Sequence, residues 1–509
     1  MTSITRLKIP IPMNALGRLC MRRGNQVRDG YVRSFSMGTR RETDGVYREL
    51  TAMRTRVPFI EAWRREEGKK AGRVVGEGEK VGEKGKVDGG KGGGGEGEGL
   101  EMKSMRDSFH RVILPLASDP WLLDNYITAS GHIRLGAIFM DLDALAGVIS
   151  YKHTGERVMT VTAAVDRITL SRPLLEICDL ELSGQVTFAT GRSSMEVSLQ
   201  VCKVPSAGEE HQPRRKEDVF MECAFTMVSL DPVTKKAVRI AGVRPEGDVE
   251  ESWFERGRKS YEKKKRELGR GLRSMEPDDE ESDLIHRLWL KTLDYHDPNT
   301  PSLLPKTCTR MSASTIQSVQ IMQPQYRNRH NFMIFGGFLL KSTFELAFTC
   351  ASAISHSRPI FLGLDPSTFE NPVPVGSVLY VSATLAYGDR PLVSGEGEGV
   401  AEIGNSDGND EGKGKGKKTR VQIRVDTKVK NVEHGETKPT GQFNYTFEVE
   451  GEVQVLPESY REFMVYLDAR RRSRGRGGVG EGEGGKGIGG KEMGIDVLGA
   501  GGDGGLKVL

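Results

Sequence analysis

Apolar and polar residues alternate with a period of two at Met195, Val197, Leu199 and Val201, with Glu196, Ser198 and Gln200 between them. The alternation returns at Val421, Ile423 and Val425 against Gln422, Arg424 and Asp426, and at Phe443, Tyr445, Phe447 and Val449 against Asn444, Thr446 and Glu448. Successive side chains of a strand point to opposite faces, so these segments predict strands with one buried and one wetter face, paired antiparallel. From His330 to Ala353 the pattern changes. HNFMIFGGFLLKSTFELAFTCASA is interrupted chiefly by Lys341, Ser342, Thr343, Glu345 and Thr349. No single hydrophobic stripe can be drawn on it, which predicts a central helix wrapped on most sides. Gly336 and Gly337 stand where that helix begins, leaving room for a ligand beside free N–H groups at the positive end of the dipole. Glu345 lies about two turns further in.

The chain repeats itself. Arg134-Leu-Gly136 and Ile334-Phe-Gly336 lie 200 residues apart, each before a long apolar helix. Asp166 and Asp365, 199 apart, each have an apolar residue four later and a proline seven later, at Pro173 and Pro372. Their common pattern reads as a structural turn at a strand end. One apolar helix followed by several long strands is best satisfied by a sheet curved around the helix. The fold expected is therefore α+β, with two domains of one kind, residues 101–232 and 301–457, each a long central helix wrapped by a curved antiparallel sheet. Between them, residues 233–300 carry the charged run from Glu250 to Arg273, which reads as a solvated helical linker.

Composition bounds what surrounds these repeats. Three tracts rich in glycine and charge, Gly68 to Gly99, Ser394 to Lys418 and Arg474 to Gly505, hold much of the total of 63 glycines. Such stretches bury too little apolar surface to offset the entropy of ordering, so they are expected to be disordered: one within the extension 42–100, one between two strands, and one in the segment 458–509. Gly480 to Gly485 spells G-x-G-x-x-G without a flanking strand and helix, so it carries no dinucleotide reading. The first 41 residues hold nine Arg or Lys and one acidic residue, Asp29, the composition of a mitochondrial transit peptide. A net charge of +4 argues for neither nucleic-acid nor membrane-surface binding, and the apolar helix is too interrupted to span a bilayer. The six cysteines include no C-x-x-C pair, so no metal site and no disulfide framework is expected.

RDSFHRVILPLASDPWL, RLGAIFMDLDALAGVISYKH, HNFMIFGGFLLKSTFELA and FENPVPVGSVLYVSA resemble the tandem hotdog acyl-CoA thioesterases, and among them the mitochondrial ones. The likeness covers roughly 250 of the 509 residues. It implies hydrolysis of fatty acyl-CoA to free fatty acid and coenzyme A in the mitochondrion, in the matrix, with sites where two hotdog units meet. It implies no cofactor, coenzyme A entering as part of the substrate, and it implies intrachain pairing of the two domains with association into a homo-oligomer open. The family's pair of an Asn before the glycine pair and a helix carboxylate maps onto Asn331 and Glu345, with Asp143 as the alternative carboxylate in the first repeat. Gly336, Gly337, Gly136 and His330 are the matching substrate contacts.

Thioester hydrolysis needs donors for the developing oxyanion and a base or nucleophile, and a helix N-terminus with a carboxylate beside it supplies both. Glu345 is expected to be buried, with the ion pair to Lys341 four residues earlier as its structural alternative. Asn331 stands one residue further from the glycines than the family's HN-x-I-F-G-G pattern, which keeps His330 in play. Asp141 reads as a solvated or dipole-stabilising residue and His132 as a loop histidine, while Arg134, Arg327 and Arg329 are candidates for the coenzyme phosphates. A hotdog pair that binds acyl-CoA or a partner without hydrolysis, and a hotdog hydratase or dehydratase using His330, are the rival readings.

Overall fold

The computed structural model describes residues 101–480 except 156, 173–175, 205–217, 268–275, 298, 300–301, 329–332 and 394–417. The transit peptide, the extension 42–100, His330, Asn331 and nearly all of the tract 394–418 therefore lie outside the described residues, as does everything after 480. The described part is α+β. Its first repeat runs β1 (His110–Leu114), α1 (Leu135–Thr154), β2 (Met159–Leu170), β3 (Leu180–Ala189), β4 (Ser194–Lys203) and β5 (Val219–Leu230). Two helices follow, α2 (Asp248–Glu267) and α3 (Asp279–His296). The second repeat runs β6 (Ile316–Ile321), α4 (Gly336–Ser355), β7 (Ile360–Leu364), the short β8 (Ser367–Thr368), β9 (Val378–Gly388), β10 (Lys418–Lys430) and β11 (Thr437–Glu450), and helix α5 (Tyr460–Gly480) is the last described element.

Among the described residues these strands form one sheet in the order β1-β3-β4-β5-β2-β7-β11-β10-β9-β6, with β8 pairing β2. Read from either edge, the order is the same in the two repeats. The halves meet at β2 and β7, antiparallel with Gly363 opposite Thr169 and Leu364 opposite Ile168. The alternation seen in the sequence sets which face each strand buries: Met195, Val197, Leu199 and Val201 are buried in β4, and Val421, Ile423 and Val425 in β10. Pairing along the sheet is antiparallel throughout, and Gly388 opposite Val421 places the long insertion in the connection from β9 to β10.

Each long helix lies against its own half of the sheet, and the two helices lie against each other. In α1 every residue from Gly136 to Ala146 is buried. It is more fully enclosed than α4, whose Thr349 is exposed. Phe139 meets Phe344 edge to face at 4.9 Å, and Phe361 packs on both rings at 5.5 and 5.3 Å. Helix α1 ends at Gly155, whose φ of 79° is a conformation that favours glycine. The start of α1 touches α4 at Lys341 and Glu345, and the start of α4 touches α1 at Met140 and Asp143, so the helices cross antiparallel.

Four expectations require correction. Helix α2 is no solvated linker, because Phe254 packs against Phe188 of β3, the ring centroids 5.0 Å apart and the planes tilted by 54°, and Trp253 also packs on the core. A charged sequence with two adjacent aromatics was enough to dock it. The segment from 458 begins as a packed helix, α5, burying Phe463, Tyr466 and Leu467. Its Arg471 pairs with Glu281 of α3 at 2.5 Å. Asp166 is not at a strand end: it sits in a bulge inside β2 and accepts a 2.9 Å hydrogen bond from the Thr226 hydroxyl. Asp365 does follow a strand end, β7, as expected. Asp141 is not solvated but buried, and the Tyr126 hydroxyl donates to it. Burial, with this carboxylate beside it, drives the Tyr126 phenol far above its usual range.

Candidate functional site

The antiparallel crossing brings the glycine-bearing start of each helix to a carboxylate of the other. A methyl group placed on Gly336 would lie 3.2 Å from Oδ2 of Asp143, and one on Gly136 would lie 3.2 Å from Oε1 of Glu345. A side chain at either glycine would press on these carboxylates, which would have to shift by a few tenths of an ångström. The sequence grouped Gly336-Gly337 with Glu345, but the fold sets Glu345 against Gly136 and brings Asp143 to the glycine pair.

The two ends differ in chemistry. At the α4 end, Asp143 is 1 % exposed. Its Oδ2 accepts from the Gly337 backbone N–H at 2.6 Å, and its Oδ1 accepts from the Thr162 hydroxyl of β2 at 2.6 Å. Helix α4 has no side-chain cap from Phe335, so its first amides are left for groups brought by another element. A carboxylate there is favoured by the dipole and held in one orientation by two donors.

At the α1 end, Glu345 keeps 38 % of its side chain exposed and pairs with Arg134 at 2.6 Å. This corrects both the expected burial of Glu345 and the expected Lys341 partner. Nine residues into its helix rather than seven, Glu345 lies toward the rim, where Arg134, the residue before α1, can reach it. The position matching Asp143 is Thr343, fully buried and hydrogen-bonded to the Tyr445 hydroxyl at 2.7 Å. Lys341 stands nearby, its ammonium pushed down by burial and by Arg134. His132 lies beside Arg358 and Ser130 rather than near Asp143. Among the phosphate candidates, Arg327 donates to the Pro324 carbonyl at 3.0 Å, Arg134 is the partner of Glu345, and Arg329 lies outside the described residues.

A cavity of about 600 Å³ opens beside the α4 end. Asp143 and Gly336 form part of its wall, with Thr162, Met227, Leu230 and Phe369. Its size is in the range of small-molecule sites, and its lining is mostly apolar with a few convergent polar groups. Thr162 escaped sequence reasoning. The only signal was a hydroxyl on a strand whose neighbours are mostly apolar, and nothing local shows that it faces a carboxylate 19 residues earlier.

No family model matches the chain. The human mitochondrial acyl-coenzyme A thioesterase 9 is 32% identical over 386 residues, which span 74% of this chain and 79% of that protein. This chain belongs to the acyl-coenzyme A thioesterase family. The mouse mitochondrial acyl-coenzyme A thioesterase 10 is 30% identical to this thioesterase over 384 residues, 73% of this chain and 78% of its own. Among solved structures, an acyl-CoA hydrolase from Staphylococcus aureus is 19% identical, with a TM-score of 0.27 over 34% of this thioesterase and 92% of that chain.

Proposed function

We propose that this thioesterase hydrolyses fatty acyl-CoA at the α4 end, with Asp143 as the carboxylate that activates water or attacks the thioester itself. The observation that carries the reading is the buried carboxylate fixed by Gly337 and Thr162 at the rim of an apolar cavity. The first amides of α4 are the donors for the developing oxyanion, where fixed dipoles in a water-poor site act most strongly. When the thioester oxygen takes the Gly337 N–H, Asp143 loses that hydrogen bond and becomes the stronger base. Attack by water at the carbonyl carbon, with one of its protons passing through Asp143 to the leaving sulfur, breaks the carbon–sulfur bond and gives a fatty acid and the thiol of coenzyme A. Attack by Asp143 itself gives an acyl anhydride and a thiolate; water then hydrolyses the anhydride to the fatty acid and supplies the proton that the thiolate takes up. The chain's own groups and water suffice for these steps. By sequence, Asn331, five residues before Gly336, remains the candidate partner of the catalytic carboxylate and His330 a candidate substrate contact.

In this reading the two repeats are hotdog units paired within one chain, and the α1 end is a braced counterpart, held by Arg134 and Glu345. Exposed Ile113, Val319 and Ile321 on the outer strands suit association of further chains. The leader composition and the mitochondrial names of the relatives support residence in the mitochondrial matrix. Among the described residues no helix is long and apolar enough to cross a membrane.

Thiol release by purified, leader-free protein from acyl-CoAs of graded chain length tests the proposal. Release of coenzyme A from none of them would leave a binding protein and end the catalytic reading. Two variants place the chemistry. Glu345→Gln is expected to retain kcat within about threefold, since an ion pair this exposed contributes only ~0–1 kcal/mol. A loss beyond a hundredfold would move the catalytic carboxylate to Glu345. Thr162→Val keeps the shape and removes a hydroxyl bound to a charged group, so kcat/KM should fall by roughly 10- to 100-fold. Thr162→Ser should recover most of that loss; equal loss in both variants would show that packing, not the hydroxyl, matters.

A further inference from the structure

Among the described residues, Gly147 is the glycine that neither backbone nor packing explains. It lies inside α1, where glycine weakens a helix relative to alanine. Its φ is ordinary, and a methyl group built on it would meet nothing within 4 Å. Gly136, Gly336 and Gly337, by contrast, would all bring a methyl within 3.2 Å of a neighbour. Position 347, the match to Gly147 in the second repeat, is an alanine with no exposed surface. What the missing side chain leaves is space, and that space belongs to the cavity.

Its place along the cavity follows from helix geometry. Gly147 comes four residues after Asp143, one turn and about 6 Å further along the same face. Beyond it the lining continues with Val148 and Tyr151 of α1 and with Met227 and Leu230 of β5. Polar groups reach the lining from both repeats, Lys152, Thr160 and Thr162 from the first and Asn328, Glu370 and Asn371 from the second. Lys152 of α1 turns its ammonium to the Phe109 carbonyl, so an apolar chain bonded to a carbonyl at Asp143 can lie along α1 over Gly147.

We infer that Gly147 sets the depth of the acyl pocket, its lack of a side chain admitting long acyl chains. The inference rests on the proposal that the cavity takes the acyl group of a thioester held at Asp143. The first carbon of any side chain placed here meets no neighbour within 4 Å, so alanine fits freely and leucine extends from an open position into the cavity.

The experiment compares full-length wild type, Gly147→Ala and Gly147→Leu on butyryl-CoA and palmitoyl-CoA. The readouts are kcat/KM by thiol release and, separately, affinity for non-hydrolysable thioether analogues of the same two lengths. In Gly147→Leu the palmitoyl-to-butyryl ratio should fall at least tenfold in both readouts, with alanine in between. Melting temperatures at or above wild type are expected, since both residues favour helix more than glycine. An unchanged ratio, or equal loss at both lengths in a folded protein, would overturn the inference. The binding arm keeps the two ideas apart. If wild type releases no coenzyme A, the catalytic proposal fails, yet length selectivity in thioether binding still decides for or against Gly147. If wild type hydrolyses both substrates and the variants keep its ratio, only the pocket inference fails.

Discussion

Asp143→Asn is expected to lower kcat/KM by about a thousandfold while the protein stays folded. The amide has the size of the carboxylate and can still accept from the Gly337 N–H, while its NH2 group turns to Thr162, whose hydroxyl oxygen can accept. What it lacks is basicity and a charge to attack with. Positioned proton transfer is worth roughly 10²–10⁴ in rate, which places the expected loss in the middle of that range. The measurement is steady-state thiol release alongside thermal melting. Loss of both activity and fold would point to a structural carboxylate, and turnover within tenfold of wild type would remove Asp143 from the chemistry.

Gly337→Ala is the second large effect, and it acts through the backbone. The added methyl would stand 2.9 Å from the Met140 carbonyl oxygen of α1 and 2.7 Å from the Phe335 ring. The ring can turn, but the carbonyl belongs to a buried helix and can yield only if α1 and α4 separate. Overpacking of this kind costs about 1–3 kcal/mol, and it falls on the amide that meets Asp143. The melting temperature should drop, and kcat/KM should fall by more than a hundredfold because misplacement of about 1 Å is enough for such losses. Wild-type activity in this variant would mean that the Gly337 amide has no part in catalysis. The same change at Gly336 meets Asp143 at 3.2 Å rather than a backbone atom, so it should disturb the site with less loss of stability.

Much of the fold was legible because it depends on periodicity. Val421 to Val425 and Phe443 to Val449 declare strands by alternation, and the apolar run after Gly336 declares an enclosed helix, whatever lies around them. The repeat gave the helix starts by the same logic. The candidate site was legible only in its parts. Gly336, Gly337, Asp143 and Glu345 were all singled out, but which glycine meets which carboxylate depends on the direction in which two helices cross. Spacing within one helix cannot report that. Ion pairing was misassigned for a related reason: Lys341 is close to Glu345 in sequence, whereas Arg134 reaches it from 211 residues away. Helix α2 was misread because charge dominated its composition, while Trp253 and Phe254 decided its packing.

The bond from Gly337 to Asp143 spans 194 residues. At ~5–20 residues per second of synthesis, the carboxylate waits on the order of ten to forty seconds for the helix that completes its setting. Until then a long apolar helix has half of its partners. A nascent or truncated chain ending before Gly336 has the carboxylate with Thr162 but without the Gly337 amide, and it exposes the edge of β2 that β7 later covers. In the proposed mechanism, hydrolytic competence therefore arrives only with the second repeat. Whatever keeps the first repeat from associating through that open edge during the interval raises the yield of folded protein.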